Sequence, residues 1–175
     1  MLATAPSSSA SSTGATPRAH RPWLGALALG LLALLLAGCG RGPVVRVFPP
    51  EARVNEITVL PSGEWRVELR LQNFSTVPMR MDAVTATLSV NGIDAGALSA
   101  TPGFTVGPFT SDVHAVTLRP TPAASDALVA ALASRRALRY AITGTIASSE
   151  PRELSWPFDF DSALSPVPGL EGVLR

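Results

Sequence analysis

The 175-residue sequence contains a single cysteine, Cys39, and no lysine, because all 14 of its basic residues are arginine. One cysteine excludes an intrachain disulfide and any metal site built from several thiolates. Charged residues make up only 15% of the chain and the formal net charge is +1, so a strongly basic nucleic-acid-binding surface is excluded. The chain holds two histidines, His20 and His114. Any catalytic histidine in the region after Cys39 must therefore be His114.

What the sequence has instead is an apolar leader. Residues 1–17 are mostly Ser, Ala, Thr and Pro, then Arg18, His20 and Arg21 add positive charge, and residues 23–37 are 15 residues without a charge. This run is shorter than the ~20 residues that a membrane-spanning helix needs. It is typical of the apolar region of a secretory signal peptide. An uncleaved N-terminal anchor is the alternative, and both interpretations place the C-terminal part outside the cytoplasm.

The leader ends in Leu36-Ala37-Gly38-Cys39, an apolar residue, two small residues and the cysteine. This tetrapeptide resembles the lipobox of bacterial lipoproteins, in which small residues fit the signal peptidase cleft and the cysteine thiol takes a diacylglycerol. The resemblance implies a signal peptide over residues 1–38 and cleavage before Cys39, whose new amine also takes an acyl chain such as palmitate. Two or three acyl chains anchor a protein firmly to a bilayer, whereas one binds only marginally.

The residues after Cys39 indicate where the anchored domain lies. Gly40 stands where enterobacterial lipoproteins retained in the inner membrane have Asp, so the resemblance implies the outer membrane, with the domain in the periplasm. Residues 39–43 form the lipidated cysteine and a short tether, in which the four residues 40–43 reach at most ~14 Å. We therefore expect the domain to sit close to the lipid bilayer, which is the partner that the leader implies.

Period-2 alternation of apolar and polar residues dominates the rest of the chain and predicts an all-β fold. The clearest alternating segments are 64–71, 81–90, 138–146 and 154–160, and shorter candidate strands are 44–48, 53–59, 95–99 and 113–118. Asn91-Gly92 and Pro61-Ser62-Gly63 predict tight hairpin turns. Pro157 cannot donate to a strand ladder, so residues 154–160 are predicted to form an edge strand.

One helix is predicted over residues 122–134, with Thr121 as its N-cap, Pro122 in its first turn and Arg135-Arg136 complementing its C-terminal dipole. Seven or eight short strands with one short helix predict an antiparallel immunoglobulin- or fibronectin-like β-sandwich over residues 44–164. The turn-rich residues 165–175 are predicted to be a loose tail. From Cys39 onward the chain carries 12 Arg and 13 acidic residues, a net charge of −1.

A second resemblance covers residues 44–118. It is carried by a strand that ends in a polar turn, residues 69–75, by Asn91-Gly92 after an alternating strand, by Ala95-Gly96, and by the small-residue turn at 103–108. These features resemble the water stress and hypersensitive response domain of type 2 late embryogenesis abundant proteins, although Phe74 stands where that family usually has Pro. The resemblance implies a β-sandwich, a role in desiccation or other water stress, and no catalytic residues.

Patterns that mark enzyme sites are missing from the sequence, which has no Gly-rich phosphate loop, HExxH or GxSxG. His114, close to Asp112, is interpreted as an outward residue of a strand. Asp159 and Asp161 are interpreted as a solvated sheet edge, because Ca²⁺ takes six to eight oxygens and two carboxylates are few. We expect no metal and no other cofactor.

The aromatic residues raise the question of a ligand pocket. We interpret them as the core of the sandwich, since they alternate inward on their strands: Trp65, Trp156, Phe158 and Phe160. Asn73-Phe74-Ser75 matches a glycosylation sequon, and we interpret that match as incidental in a bacterial chain.

Three functional hypotheses follow, and none is enzymatic. The leading one is a membrane-anchored domain with a stress-protective or envelope-maintenance role. The second is a periplasmic module that binds or transfers lipid or another apolar ligand, and the third is an accessory subunit of an envelope complex. A filled interior favours the first hypothesis, and an open apolar cavity favours the second.

Overall fold

Nine strands and one helix make up the part of the chain that the computed structural model describes, which is Gly42 and residues 44–175. The predicted signal peptide 1–38, Cys39 and the other tether residues lie outside the described residues. The elements are β1 Glu51–Val59, β2 Trp65–Gln72, β3 Met79–Val90, β4 Ile93–Ala100, β5 Phe104–Val106, β6 Ser111–Leu118, α1 Pro122–Ser134, β7 Leu138–Glu150, β8 Leu154–Leu164 and β9 Val173–Leu174.

The strands form two antiparallel sheets. One has the order β6-β2-β1-β9, and the other has the order β4-β3-β7-β8, with the short β5 also paired to β3. This arrangement confirms the predicted antiparallel β-sandwich, with one strand more than the upper end of the predicted count. The prediction that residues 154–160 form an edge strand is also confirmed, since β8 ends its sheet.

Alternation along the strands produces the core. On β2, every second residue from Trp65 to Leu71 is completely buried, while Arg66 faces solvent. On β7, Leu138, Tyr140, Ile142 and Ile146 are buried in the same way. Because each sheet contributes one apolar face, the two faces pack on each other and fill the interior.

Two close contacts hold the strands and sheets together. The hydroxyl of Tyr140 on β7 donates a hydrogen bond of 3.1 Å to the backbone oxygen of Val54 on β1, which joins the two sheets. Val54 lies where the register of β1 against β2 shifts at a bulge, so its carbonyl is free to turn inward. Gly144 on β7 lies so close to Thr85 and Ala86 on β3 that a Cβ there would collide with the backbone.

The predicted turns and helix are confirmed. Asn91 and Gly92 both have positive φ, 48° and 79°, in the β3–β4 hairpin. The Thr121 side chain accepts a hydrogen bond from the backbone N–H of Ala124 and caps α1. Arg135 ends the helix in the left-handed conformation, as its C-cap, so it lies just beyond the last helical turn. Among the described residues, no helix has the length and apolar character to cross a membrane.

Two predictions about the ends of the domain are wrong. Residues 44–48 form no strand, because their backbone groups bond to side chains of a neighbouring loop. Residues 165–175 are not a loose tail: β9 pairs with β1, and Ser165 and Arg175 exchange two backbone hydrogen bonds. Leu174 is completely buried, so these residues complete the sandwich.

Candidate functional site: the Asn73 end of the sandwich

The residues with the clearest sequence-predicted chemistry lie at the lipobox, Leu36, Ala37, Gly38 and Cys39. All four lie outside the described residues, so the lipidation of Cys39 and the recognition of Leu36, Ala37 and Gly38 by a signal peptidase stay predictions. The structure does describe the point where the chain enters the sandwich from that side. Three segments meet there, residues 44–50, 73–78 and 107–110, and we call this region the Asn73 end.

Asn73 is the centre of this end. It follows β2 directly and is completely buried. Its side-chain Nδ2 lies 2.9 Å from the backbone oxygen of Val77, 3.1 Å from that of Val106 and 3.1 Å from that of Gly107. Its Oδ1 accepts a hydrogen bond of 2.8 Å from the backbone N–H of Ser75. The side-chain amide of Asn73 thus provides hydrogen-bond partners for backbone groups of two different loops.

Backbone contacts extend this network. The N–H of Asn73 donates to the carbonyl oxygen of Thr110 over 2.9 Å, which closes the 107–110 loop against the end of β2. A buried polar group without a partner is costly, so a fully bonded amide at this point specifies one loop arrangement. The network therefore fixes the geometry of the whole Asn73 end.

Ser75 and Thr76 hold the incoming chain. Ser75 is completely buried, and its Oγ accepts a hydrogen bond of 2.9 Å from the backbone N–H of Phe48. The Thr76 Oγ1 accepts from the N–H of Arg46 over 2.8 Å and lies 2.9 Å from the carbonyl oxygen of Val44. The N–H of Thr76 donates to the carbonyl oxygen of Arg46 over 3.0 Å. Residues 44–48 are thereby attached to the sandwich although they belong to neither sheet.

Exposed apolar side chains surround this network. Five of the eight large apolar side chains that are exposed in the described part of the chain belong to the Asn73 end. We call these five residues the apolar rim: Val44 (63% exposed), Val45 (65%), Phe48 (44%), Phe74 (37%) and Phe109 (64%). A soluble domain gains nothing from concentrating such side chains in one region, so the concentration indicates a contact surface.

Phe109 is the most unusual member of the rim. Its φ is +55°, in the left-handed region that bulky residues rarely adopt. The loop that carries it is closed by the hydrogen bond from the N–H of Thr110 to the carbonyl oxygen of Gly107 and by the contacts of Asn73. Strained conformations of this kind are found mainly where function requires them.

The other candidate residues lie on two different sheets, His114 and Asp112 on β6 and Asp159 and Asp161 on β8. His114 is half-buried on β6, opposite Leu69 of β2, and its ring lies 6.3 Å from that of Phe104. The nearby Asp112 accepts a hydrogen bond from the N–H of Val113. Asp159 and Asp161 are exposed on the edge strand β8. Within residues 44–175, no group of three or more His, Asp or Glu side chains is placed to hold a metal ion.

The aromatic residues belong to the core and its margin. Trp65 and Phe158 are buried, and Trp156 and Phe160 are half-buried on the edge strand. The Trp156 Nε1 donates a hydrogen bond of 3.0 Å to Ser148 Oγ on the neighbouring strand β7. These contacts agree with the interpretation of the aromatic residues as packing residues.

A surface cleft lies at the opposite end of the molecule. It has a volume of about 780 Å³ and is lined by Leu132 from α1, by the C-cap residue Arg135 and by residues 166–172. Its walls combine apolar side chains, including Leu170, with the charged Arg135 and Glu171. The cleft lies at the surface, outside the space between the two sheets.

Among the known proteins compared with this chain, only solved structures are similar to it. The sequence matches no protein-family model, and it matches no curated protein. Similar solved structures include a protein from Archaeoglobus fulgidus at 13% identity, covering 70% of this chain and 98% of that chain with a TM-score of 0.40. A protein from Arabidopsis thaliana matches at 12% identity over 75% and 87%, with a TM-score of 0.44. A putative late embryogenesis abundant protein matches at 13% identity over 84% of both chains, with a TM-score of 0.40.

All three TM-scores lie below 0.5, so the fold assignment rests on the strand pairing of this chain. The sequence contained a signal for the Asn73 end, because a polar turn with Asn and Ser directly after an alternating strand predicts side-chain capping of the backbone. The apolar rim gave no such signal, since its members are scattered over 65 residues of sequence, from Val44 to Phe109.

Proposed function

We propose that this chain is a periplasmic lipoprotein, anchored through acylated Cys39 to the outer membrane, whose β-sandwich has a non-enzymatic role in envelope maintenance and protection from water stress. The observation that carries the proposal is the attachment of residues 44–48 to Ser75 and Thr76. This attachment leaves only residues 40–43 as a free tether between the acylated residue and the domain.

A short tether favours a role at the membrane surface. Four residues reach at most ~14 Å, which is less than the width of a small domain. A lipoprotein that delivers a ligand across the periplasm needs a longer linker. A domain that supports or protects the membrane surface needs to stay there, and a short tether keeps it there.

The interior of the sandwich supports the same role. Large side chains from both sheets are completely buried between them, including Trp65, Leu69, Leu88 and Ile142. Their packing fills the space between the two sheets. The residues of the core therefore stabilise the fold.

Metabolic labelling with palmitate tests the anchor. The wild-type protein is expected to take the label and to fractionate with the outer membrane. Cys39→Ser removes the thiol, so we expect no label and a protein that leaves the membrane fraction. Gly42→Ala is the control, because a methyl group there meets no atom within 4 Å. Label retained in Cys39→Ser would contradict the proposal.

Survival assays test the role. A deletion strain is expected to lose viability on drying or osmotic shock, and wild-type protein supplied from a plasmid is expected to restore it. The Cys39→Ser protein is expected not to restore it, because the sandwich is then free in the periplasm. Normal survival of the deletion strain under both stresses would contradict the stress-protective role.

The cleft beside Leu132 and Leu170 favours one alternative, binding of a small apolar ligand. Native mass spectrometry of the protein isolated from its host tests it. A bound ligand that is lost in Leu132→Asp would favour this alternative. A ligand-free mass identical to the calculated one would exclude it.

A further inference from the structure

The side chains of the apolar rim lie at the surface, outside the buried core. All five are exposed, and the Asn73 network holds the loops that carry them in place whether or not a partner is present. Phe74 lies between Asn73 and Ser75, and Phe48 is bonded through its backbone N–H to Ser75. Phe109 lies in the loop that Asn73 contacts at Gly107 and Thr110. The hydrogen bonds thus place all three phenylalanines at one end of the sandwich.

The length of the tether decides what covers this end. Only residues 40–43 separate Cys39 from Val44, and Val44 and Val45 are themselves members of the rim. If Cys39 carries acyl chains in a bilayer, Val44 lies within ~14 Å of the membrane surface. The rim is therefore the part of the sandwich that meets the lipid first.

Two arginines flank the first members of the rim. Arg41 and Arg46 flank Val44 and Val45 in the sequence, and the Arg46 side chain is exposed. Apolar side chains that enter the boundary between headgroups and acyl chains, with arginines at the level of the phosphates, are the usual pattern of an interfacial segment. Protein surfaces that bind other proteins need no such arrangement of arginines beside an acylated residue.

We propose that the apolar rim inserts into the boundary between headgroups and acyl chains next to the acylated cysteine, so that Phe109, Phe74 and Val45 form a second, non-covalent contact with the membrane. This inference rests on the lipidation proposed above. It adds an orientation: the Asn73 end faces the bilayer, and the β1–β2 and β3–β4 turns point away from it. The strained backbone at Phe109 serves to present an aromatic ring to the lipid.

Fluorescence quenching by lipids brominated on their acyl chains tests the orientation. The full acylated protein is reconstituted in vesicles of phosphatidylethanolamine and phosphatidylglycerol, as Phe109→Trp and, for comparison, as Val129→Trp. Val129 is 55% exposed on α1 and lies outside the rim. We expect the emission added by the new tryptophan to fall at least twofold in Phe109→Trp and to stay unchanged in Val129→Trp. Equal quenching of the two proteins would overturn the proposal.

Vesicle binding by protein without acyl chains separates this proposal from the lipidation. The Cys39→Ser protein is expected to bind the same vesicles weakly, and an added Phe109→Asn is expected to lower its partition coefficient about tenfold. Asn tolerates positive φ, so this variant keeps its fold. Val129→Asn is the control and is expected to bind as well as its parent. No loss in Phe109→Asn would overturn membrane insertion of the rim.

The two proposals can fail separately. The mass of the mature N-terminus reports acylation without reference to the rim. If the Phe109→Trp protein is acylated but its added emission is not quenched, the anchor stands and the rim contact is lost. If the mature protein carries no acyl chains but its binding to vesicles depends on Phe109, the rim contact stands and the proposed anchor is wrong.

Discussion

At the scale of single residues, Asn73 shows how one buried amide can organise a whole end of a β-sandwich. Its side chain bonds to Val77, Val106 and Gly107 and accepts from Ser75. We expect Asn73→Leu to lower the free energy of unfolding by about 2–4 kcal/mol, because several buried backbone groups lose their partner at once. Urea denaturation measures the change.

The control variant is Asn91→Leu. It removes a single 3.2 Å contact, from the Arg139 N–H to Asn91 Oδ1, and places a branched residue at positive φ. A smaller loss in Asn73→Leu than in Asn91→Leu would contradict this role.

Tyr140 gives the sandwich a pH dependence that can be assigned to one group. Burial raises the pKa of Tyr140 above its ordinary value of 10.0, and its hydroxyl can donate the hydrogen bond to the Val54 carbonyl oxygen only while the phenol is protonated. The folded state therefore holds the phenol proton more strongly than the unfolded state does. The stability that results is fully present below pH 10 and is lost as the pH rises through the folded-state pKa. Other side chains do not obscure this loss, since residues 44–175 contain no Lys, no Cys and no second Tyr.

Tyr140→Phe tests this assignment. The variant is expected to lose about 1 kcal/mol at neutral pH, the usual net value of one hydrogen bond. Its stability is expected to stay nearly constant from pH 9 to about pH 11, where the wild-type protein weakens. Urea denaturation across this pH range measures both effects. If Tyr140→Phe loses stability with rising pH as steeply as the wild-type protein does, the pH dependence has another cause.

At the scale of elements, the strands and the helix that were predicted from the sequence are those whose pattern lies within a short stretch of residues. The alternation in β2 and β7 and the capping residues of α1 are each contained in about a dozen residues, so their periods could be read directly. Residues 44–48 also alternate, yet their backbone bonds to Ser75 and Thr76. Such partners lie about 30 residues away, and a local period carries no information about them.

The C-terminal strand was missed for the same physical reason. Residues 165–172 are rich in Pro and Gly, and β9 has only two residues, too few to show a period. Its stability comes from pairing with Ile57 and Thr58 on β1, at the other end of the sequence. The Asn73 end was predictable as a polar turn, but the apolar rim was not, because only the fold brings its residues together.

Two leucines of the C-terminal segment give a matched test of its role. Leu174 is completely buried, whereas Leu170 is 57% exposed. We expect Leu174→Ala to lower the free energy of unfolding by about 2–5 kcal/mol, the usual cost of removing a buried leucine. Leu170→Ala is expected to change it by less than about 0.5 kcal/mol. Equal effects in thermal denaturation would contradict the finding that these residues complete the sandwich.

At the scale of the whole molecule, the incoming segment belongs to the folded domain as much as any strand does. The buried core begins at Ala52, so residues 44–49 contribute little to it beyond the partly buried Val47. Their contribution is the hydrogen bonding to Ser75 and Thr76, which attaches the incoming chain to the sandwich. A pull on the chain before Val44 would therefore act on these hydrogen bonds before it reaches the sheets.

Two soluble proteins that start at Val44 and at Pro50 test this connection. Both contain the whole core, so both are expected to fold cooperatively, with no effect of a reducing agent because residues 44–175 hold no cysteine. We expect the shorter protein to be less stable by about 1–3 kcal/mol, since Ser75 and Thr76 lose their partners. Thr76→Val in the longer protein is expected to reproduce part of this loss. If both proteins melt at the same temperature, residues 44–48 are no part of the fold, and the tether to the proposed anchor is about twice as long.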